Sequence, residues 1–423
     1  MLQINYIREN KATVLEGLKK KYFADAEQKV DEILQIDQAR RETQQALDVL
    51  QAEANQKAKA IGELMKSGKK DEAENEKLVT TDLRNKIKDL QDFLTAKEEE
   101  LNTQLVKLPN LPHSSVPVGR TPEENVTIFS HGNIPALHAD AQPHWELIKK
   151  YDIIDFEVGS KITGAGFPVY KNKGARLQRA LINFFLDEAT NAGYMEVQPP
   201  IMVNEASAYA TGQLPDKDGQ MYYASEDKFY LIPTAEVPIT NMYRDMIIKD
   251  EELPIRNAGY TPCFRREAGS WGADVRGLNR LHQFDKVELV QIAKPETSYG
   301  VLEEMKKHVQ GLLEKLELPY RILHLCGGDM SFTSALTFDF EVYSAAQKRW
   351  LEVSSVSNFE SYQSNRLKLR YKIDGKTQLL HTLNGSALAL PRIVASILEN
   401  NQTPEGIRIP KALQAYTGFD LIG

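Results

Sequence analysis

No proline occurs before Pro109, and the stretch ahead of it holds only Gly17, Gly62 and Gly68. With so few breakers, helix is the default conformation for the first hundred residues. Ile33, Ile36, Leu47, Leu50, Ala54, Ile61 and Leu64 recur at steps of three and four, interrupted by Arg40, Thr43 and Lys57. Leu83, Ile87, Leu90, Leu94 and Leu101 repeat the pattern, interrupted by Lys97. Between the stripes, Lys66-Ser67-Gly68-Lys69-Lys70-Asp71 is a turn signal. Two long helices with facing heptad seams make an antiparallel hairpin, expected over about residues 28–105. At 1.5 Å per residue, about 35 residues make an arm of roughly 50 Å. A seam this narrow buries one face of each helix, so the arm is expected to project.

Lys57, Lys59, Lys66, Lys69 and Lys70 lie toward the turn, interleaved with Glu63, Asp71 and Glu72. Three readings stand for them: ordinary solvated coiled-coil charge, an arm lying along an RNA backbone and reading its shape, or a protein-interaction arm. The net charge of −7 argues against indiscriminate nucleic-acid binding and leaves room for a selective RNA partner met by local basic patches.

From Lys107 to about Gln142 the composition changes, with Pro109, Pro112, Pro117, Pro122 and Pro135 closely spaced. A domain boundary is expected near residues 108–115, separating an N-terminal domain (1–110) from a second domain (111–423). Arg176 to Thr190 reads as an amphipathic helix with Leu177, Leu181, Phe184 and Phe185 inward and Gly193 as its stop. Tyr194 to Val203 reads as an edge or interface strand containing Pro199-Pro200. A helix is expected from about Thr297 to Leu316. Strands are expected at Tyr320–Leu325, Phe338–Ser344, Trp350–Ser355 and Gln378–Leu383. These strands are not regularly separated by helices, which favours an α+β fold with an antiparallel sheet and flanking helices over a doubly wound parallel one.

Cys263 to Glu288 is the most chemically loaded segment. An apolar run, Ala258 to Phe264, turns polar at Arg265, Arg266 and Glu267, and a loop with Gly269, Gly272 and Gly277 follows. The chain then returns as a strand from Gln283 to Ile292. This predicts two antiparallel strands joined by a long arginine-bearing loop, suited to a polyanion because a guanidinium fork matches phosphate oxygens bidentately. No apolar run approaches the roughly 18 residues of a membrane helix. The N-terminal residues lack a basic region followed by an apolar one, so no secretory signal is expected there. Cys263 and Cys326, the only cysteines, offer neither a disulfide framework nor a paired-cysteine zinc site. The cytoplasm is the expected compartment.

Taken together these residues resemble the class II aminoacyl-tRNA synthetases, and most closely the bacterial-type seryl-tRNA synthetase family. The helix and strand ending in Pro199-Pro200 resemble the first class motif, Phe264-Arg265-Arg266-Glu267 with its loop the second, and Asn384-Gly385-Ser386 through Arg392 the third. Thr234-Ala235-Glu236, Glu352-Val353-Ser354-Ser355 and the helical arm extend the likeness over the whole chain. One departure is Ala387 and Pro391, where the family often has glycine; proline suits a first helical turn and leaves the role of Arg392 intact.

The resemblance implies a ligase that activates L-serine with ATP to seryl-adenylate and transfers serine to the 3′ end of serine tRNA, and of selenocysteine tRNA where present. It implies a tRNA-binding arm for the extra arm of that tRNA, a homodimer, Mg²⁺ with ATP, and no zinc. Catalysis then rests on positioning and charge stabilisation. Arg265 is expected at the α-phosphate and Arg392 at the far phosphate. Arg266, Glu267, Leu281 and Phe284 are expected around ATP, Glu267 toward adenine and Phe284 stacked on it. Glu352, Val353, Ser354 and Ser355 line the ATP site, Glu352 and Ser355 offering hard oxygens to Mg²⁺. Thr234, Ala235, Glu236, Arg265, Glu288, Thr382 and Ser386 are expected to hold serine. Arg276 and Arg280 are either ligand contacts or solvated loop arginines. His282 is expected to be structural, and Trp271 either covers the site or packs. A synthetase-like enzyme loading a carrier protein and a degenerate RNA-binding module are the competing readings. The complete arm opposes the first, and Arg265, Glu267, Glu288, Glu352 and Arg392 together oppose the second.

Overall fold

The computed structural model describes residues 1–216, 219–267, 276–373 and 375–423. The chain divides into two units, Met1–Lys19 with Phe23–Pro109, and Lys20–Tyr22 with Asn110–Gly423.

In the first unit, helices Ala26–Lys66 and Lys70–Leu105 are joined by a three-residue turn in which Gly68 takes a φ of +79°. A 41-residue helix is roughly 60 Å long. Val30, Ile33 and Leu47 on one helix and Leu83, Leu94 and Leu101 on the other are buried, as the stripes require. The polar interruptions sit on the same seam. Thr43 and Thr80 are buried, and their hydroxyls donate to the carbonyls of Ala39 (2.7 Å) and Glu76 (2.8 Å) one turn back. Lys57 reaches Glu76 on the opposite helix at 2.9 Å. Near the base of the hairpin, the fully buried Asp37 pairs with Arg8 (2.8 Å), Arg40 (2.9 Å) and Arg41 (3.1 Å). Burial opposes its charge, but the hydrogen bonds and charges of Arg40 and Arg8 outweigh it and hold the carboxyl below its ordinary range.

The second unit is built on an eight-stranded sheet. Its spatial order is Val126–His131, Tyr320–His324, Leu336–Ser344, Arg349–Asn358, His381–Ala389, Gln283–Ala293, Ile255–Phe264 and Met195–Glu196. All neighbours are antiparallel except Met195–Glu196, which runs parallel to Ile255–Phe264. Helices Asn172–Asn191, Ser298–Lys315 and Leu390–Asn400 pack on the sheet through apolar faces spaced at three and four residues. Leu177, Leu181, Phe184 and Phe185 are all buried in that core.

Two expected strands differ. The segment Gln378–Leu383 is divided between Lys376–Leu379, which pairs with Arg370–Ile373, and His381–Ala389, which enters the main sheet. Leu380 is fully buried at the point where the chain changes sheets. Tyr194–Val203 is reduced to Met195–Glu196 and Met202–Val203, since Pro199 and Pro200 have no N–H to extend a ladder. Among the described residues no helix is long and apolar enough to cross a membrane.

Candidate active site

The long antiparallel strands Ile255–Phe264 and Gln283–Ala293 pair continuously from Phe264 opposite Gln283 to Ile255 opposite Ile292. Strand His381–Ala389 lies on the other side, so Glu288 is flanked by Gly259 and Ser386. Over these three strands opens a cavity of about 710 Å³. It gathers Thr234, Glu236, Arg265, Glu267, Leu281, Phe284, Glu288, Glu352, Val353, Ser354, Ser355, Ser386 and Arg392 from segments far apart in the chain. Three expected site residues do not line it. Ala235 is buried in an apolar cluster with Ile239 and Val290. Arg266 is exposed, its backbone N–H donating to the Gln220 carbonyl at 3.0 Å. Thr382 is buried behind the wall and donates to Gln363 Oε1 at 2.7 Å.

One end of the cavity carries two buried carboxylates. Gln363 Nε2 donates to Glu236 Oε1 at 2.6 Å, so Thr382, Gln363 and Glu236 form a chain of hydrogen bonds. Burial, reinforced by the charge of Glu288, pushes the Glu236 carboxyl up to about 7, against the hydrogen bond from Gln363, the charge of Lys286 and the hydrogen bond from Asn384. Glu288, 1% exposed, has its Oε2 2.5 Å from Lys286 Nζ, an ion pair without regular hydrogen-bond geometry. Lys286 also donates to Thr234 Oγ1 at 2.9 Å. Two acids, an amide, an ammonium and a hydroxyl thus converge here, a set suited to a small zwitterion with its own hydroxyl. Lys286, Asn384 and Gln363 are site residues to which the sequence alone assigns no role. Lys286 was within reach of it, because residues two apart on a strand share a face.

The other end is cationic. Arg265 Nε donates to the Pro233 carbonyl at 3.3 Å, and the guanidinium lies 5.2 Å from the centre of the Phe284 ring. That contact already covers one face of the ring expected to stack on adenine. Arg392 stands on the first turn of helix Leu390–Asn400, after Pro391. Its Nε donates to the Asn279 carbonyl (3.2 Å) and its Nη1 to the Glu352 carbonyl (2.6 Å). Glu267 has a φ of +51° and pairs with Arg280 Nε, so its carboxylate is engaged within the site and Arg280 is not simply a solvated arginine. Arg276 turns elsewhere, to Glu146 at 3.2 Å and over the Trp145 ring at 4.8 Å. His282 is held by the Tyr222 hydroxyl at 2.8 Å and stacks on Phe167, a structural arrangement. Gly269, Trp271 and Gly272 lie outside the described residues.

Glu352 and Ser355 share this wall, with Asp339 beside Ser355 on the neighbouring strand. Asp339 takes a hydrogen bond from Ser355, while its Oδ1 is buried without a partner. Burial, then the charge of Glu352, raises its carboxyl well above the usual range. Among the described residues no group of three or more His, Cys, Asp or Glu side chains could hold a metal ion. The hard oxygens of Glu352 and Ser355 instead fit a cation that arrives with phosphate ligands of its own.

Comparison with known proteins agrees with this geometry. A family profile for the tRNA synthetase class II core domain (G, H, P, S and T) matches residues 221–401. The sheet and its flanking helices are the fold of a class II aminoacyl-tRNA synthetase. A profile for the seryl-tRNA synthetase N-terminal domain matches residues 1–112. The serine–tRNA ligase of Salinibacter ruber is 50% identical over 426 residues, covering 100% of this chain and 99% of its own. That of Chlorobaculum parvum is 46% identical over 433 residues, covering 100% of both. The crystal structure of seryl-tRNA synthetase from Pyrococcus horikoshii complexed with ATP superposes with a TM-score of 0.93 at 33% identity, over 100% of this chain and 99% of that one. A cytoplasmic serine–tRNA ligase from Naegleria fowleri in complex with AMP gives 0.88 at 27% identity, over 100% of this chain and 98% of that one. The chain belongs to the seryl-tRNA synthetase family. Its reaction is the ATP-dependent ligation of L-serine to tRNA.

Proposed function

We propose that the cavity over Glu288 is where serine is activated and that its two ends divide the work. The serine ammonium and hydroxyl go to Glu236, Glu288 and Thr234, with Ser386 beside them and Thr382 acting through Gln363. The serine carboxylate attacks the α-phosphorus of ATP and pyrophosphate leaves. Arg265 neutralises the charge that builds on the α-phosphate, and Arg392 holds the far phosphate. A terminal ribose hydroxyl of tRNA then attacks the seryl carbonyl and AMP departs. Neither step needs a protein nucleophile, so positioning and electrostatics carry the rate. The observation that carries this reading is one cavity joining a doubly acidic pocket, Glu236 with Glu288, to a pair of arginines, Arg265 and Arg392.

Adenine falls to Leu281 and Phe284, with Glu267 nearby. Mg²⁺ entering with ATP would be held by Glu352 and Ser355 and would offset phosphate charge during attack. Asp339 would hold the Ser355 hydroxyl in place. The hairpin is assigned to the extra arm of serine tRNA, and of selenocysteine tRNA where present. Among the lysines toward its turn, Lys59, Lys66 and Lys70 are exposed, while Lys57 and Lys69 pair with Glu76 and Glu72. A homodimer is proposed through the first-motif face, supported by exposed Met195, Ile201 and Met202. The cytoplasm is the proposed compartment, where the free thiols Cys263 and Cys326 persist reduced.

Arg265→Ala tests the division of labour. Serine-dependent pyrophosphate–ATP exchange is expected to fall about 100-fold or more, with the melting temperature little changed. A normal exchange rate contradicts the assignment of Arg265.

A further inference from the structure

One buried network touches the site from outside. His144 opens the helix His144–Lys150 and is fully buried. Its Nε2 accepts the Leu278 N–H at 2.8 Å. The ring proton therefore sits on Nδ1, which donates to Glu399 Oε1 at 2.6 Å. Glu399, also fully buried, takes further hydrogen bonds from the His144 N–H (2.9 Å), Gln347 Nε2 (2.9 Å) and Ser344 Oγ. A carboxylate out of water is costly unless it is matched this fully.

The network ties together the two supports of the phosphate end. Glu399 lies seven residues, or two turns, beyond Arg392 on the helix Leu390–Asn400. Leu278 and Asn279 form the turn by which the arginine loop returns to the sheet, and both line the cavity. From that one helix, Arg392 Nε grips the Asn279 carbonyl (3.2 Å), while Glu399 grips the same turn through His144. Gln347 adds a third tie, its Oε1 accepting from Asn279 Nδ2 at 3.1 Å. The fit is close: a Cβ on Gly277 would stand 2.2 Å from His144 Nε2, and Gly277 has a φ of +65°.

We infer that His144, fixed by Glu399, is a positioning residue for ATP. It locks the returning turn of the arginine loop to the helix that carries Arg392, and so sets where the guanidinium meets the phosphates. It does not reach the serine end, where Glu236 and Glu288 answer to Gln363 and Lys286. The inference rests on Arg392 binding a phosphate of ATP.

The test is His144→Asn, because asparagine can keep the donor to Glu399 near Nδ1 while removing the acceptor for the Leu278 N–H. In pyrophosphate–ATP exchange the KM for ATP is expected to rise about tenfold while the KM for serine stays within twofold. Gly277→Ala disturbs the same contact from the turn side, leaves the buried carboxylate alone, and is expected to give the same split. Melting curves and direct ATP titration of both variants separate this from loss of fold. Arg392→Ala is the control. If it leaves the KM for ATP unchanged, the underlying phosphate assignment has failed. If Arg392→Ala raises it but folded His144→Asn and Gly277→Ala leave it unchanged, or raise both KM values together, the positioning role is overturned.

Discussion

Lys286 and Glu288 stand side by side on one strand, Nζ to Oε2 2.5 Å apart, with side chains 8% and 1% exposed. Residues two apart on a strand point the same way, so both face the cavity. An isolated carboxylate there would be costly, and the ammonium offsets it while also orienting the Thr234 hydroxyl. The arrangement matches the carboxylate with a cation on the cavity face proposed for serine.

Removing the ammonium alone should therefore be severe. Lys286→Met leaves Glu288 buried without its cation, a loss of about 3 kcal/mol in stability or affinity. The KM for serine is expected to rise at least tenfold, with the KM for ATP much less affected. Steady-state pyrophosphate–ATP exchange at varied serine and at varied ATP measures both. Equal rises in the two KM values would show Lys286 serving the fold and not the serine end.

A pH dependence follows from Glu236. Burial and the Glu288 charge raise its carboxyl from 4.5 to about 7 in the free protein. A carboxyl with a raised folded pKa favours the protonated folded form. Its contribution to stability is thus full below about pH 4.5 and is lost as the pH rises through about 7. Binding of the serine ammonium requires the ionised form. The KM for serine should therefore fall about tenfold between pH 6 and pH 8. Gln363→Leu removes a hydrogen bond that favours the ionised form, and should move this midpoint upward. A serine KM flat across that range in both proteins would remove Glu236 from the role proposed for it.

The arm makes a separable prediction. Replacing about residues 35–100 by a short polar turn should leave serine-dependent pyrophosphate–ATP exchange within a few-fold of the intact chain and abolish charging of serine tRNA. Charging that survives the deletion would refute the arm's proposed grip on tRNA.

Legibility from sequence followed local period and chemistry. The arm was readable because the seam repeats over many turns, although Thr43 and Lys57 looked like interruptions and are seam members, satisfied by Ala39 and Glu76. The hairpin Ala258–Phe264 with Gln283–Ile292 was readable from two apolar runs about a polar loop. The sheet change at Leu380 was not, because alternation has the same period in either sheet. In the site, Arg265, Glu288 and Arg392 lie in stretches that the sequence singles out, and all three line the cavity. Gln363 sits on the short helix Ser361–Leu367 with no motif around it, and its role exists only because folding brings it to Glu236. The pairing of Glu267 with Arg280 was equally out of reach, since it depends on the path of the loop and not on spacing.

The role proposed for the cavity over Glu288 is to select serine and join it to AMP. Pyrophosphate–ATP exchange by the full-length chain, with serine, alanine, glycine and threonine compared at equal concentration, tests it most directly. Exchange should depend on serine, with alanine reduced by roughly 10⁴-fold because it leaves buried polar groups unpaired. Threonine should be rejected by size. Exchange that shows no preference for serine over the other three would rule that role out.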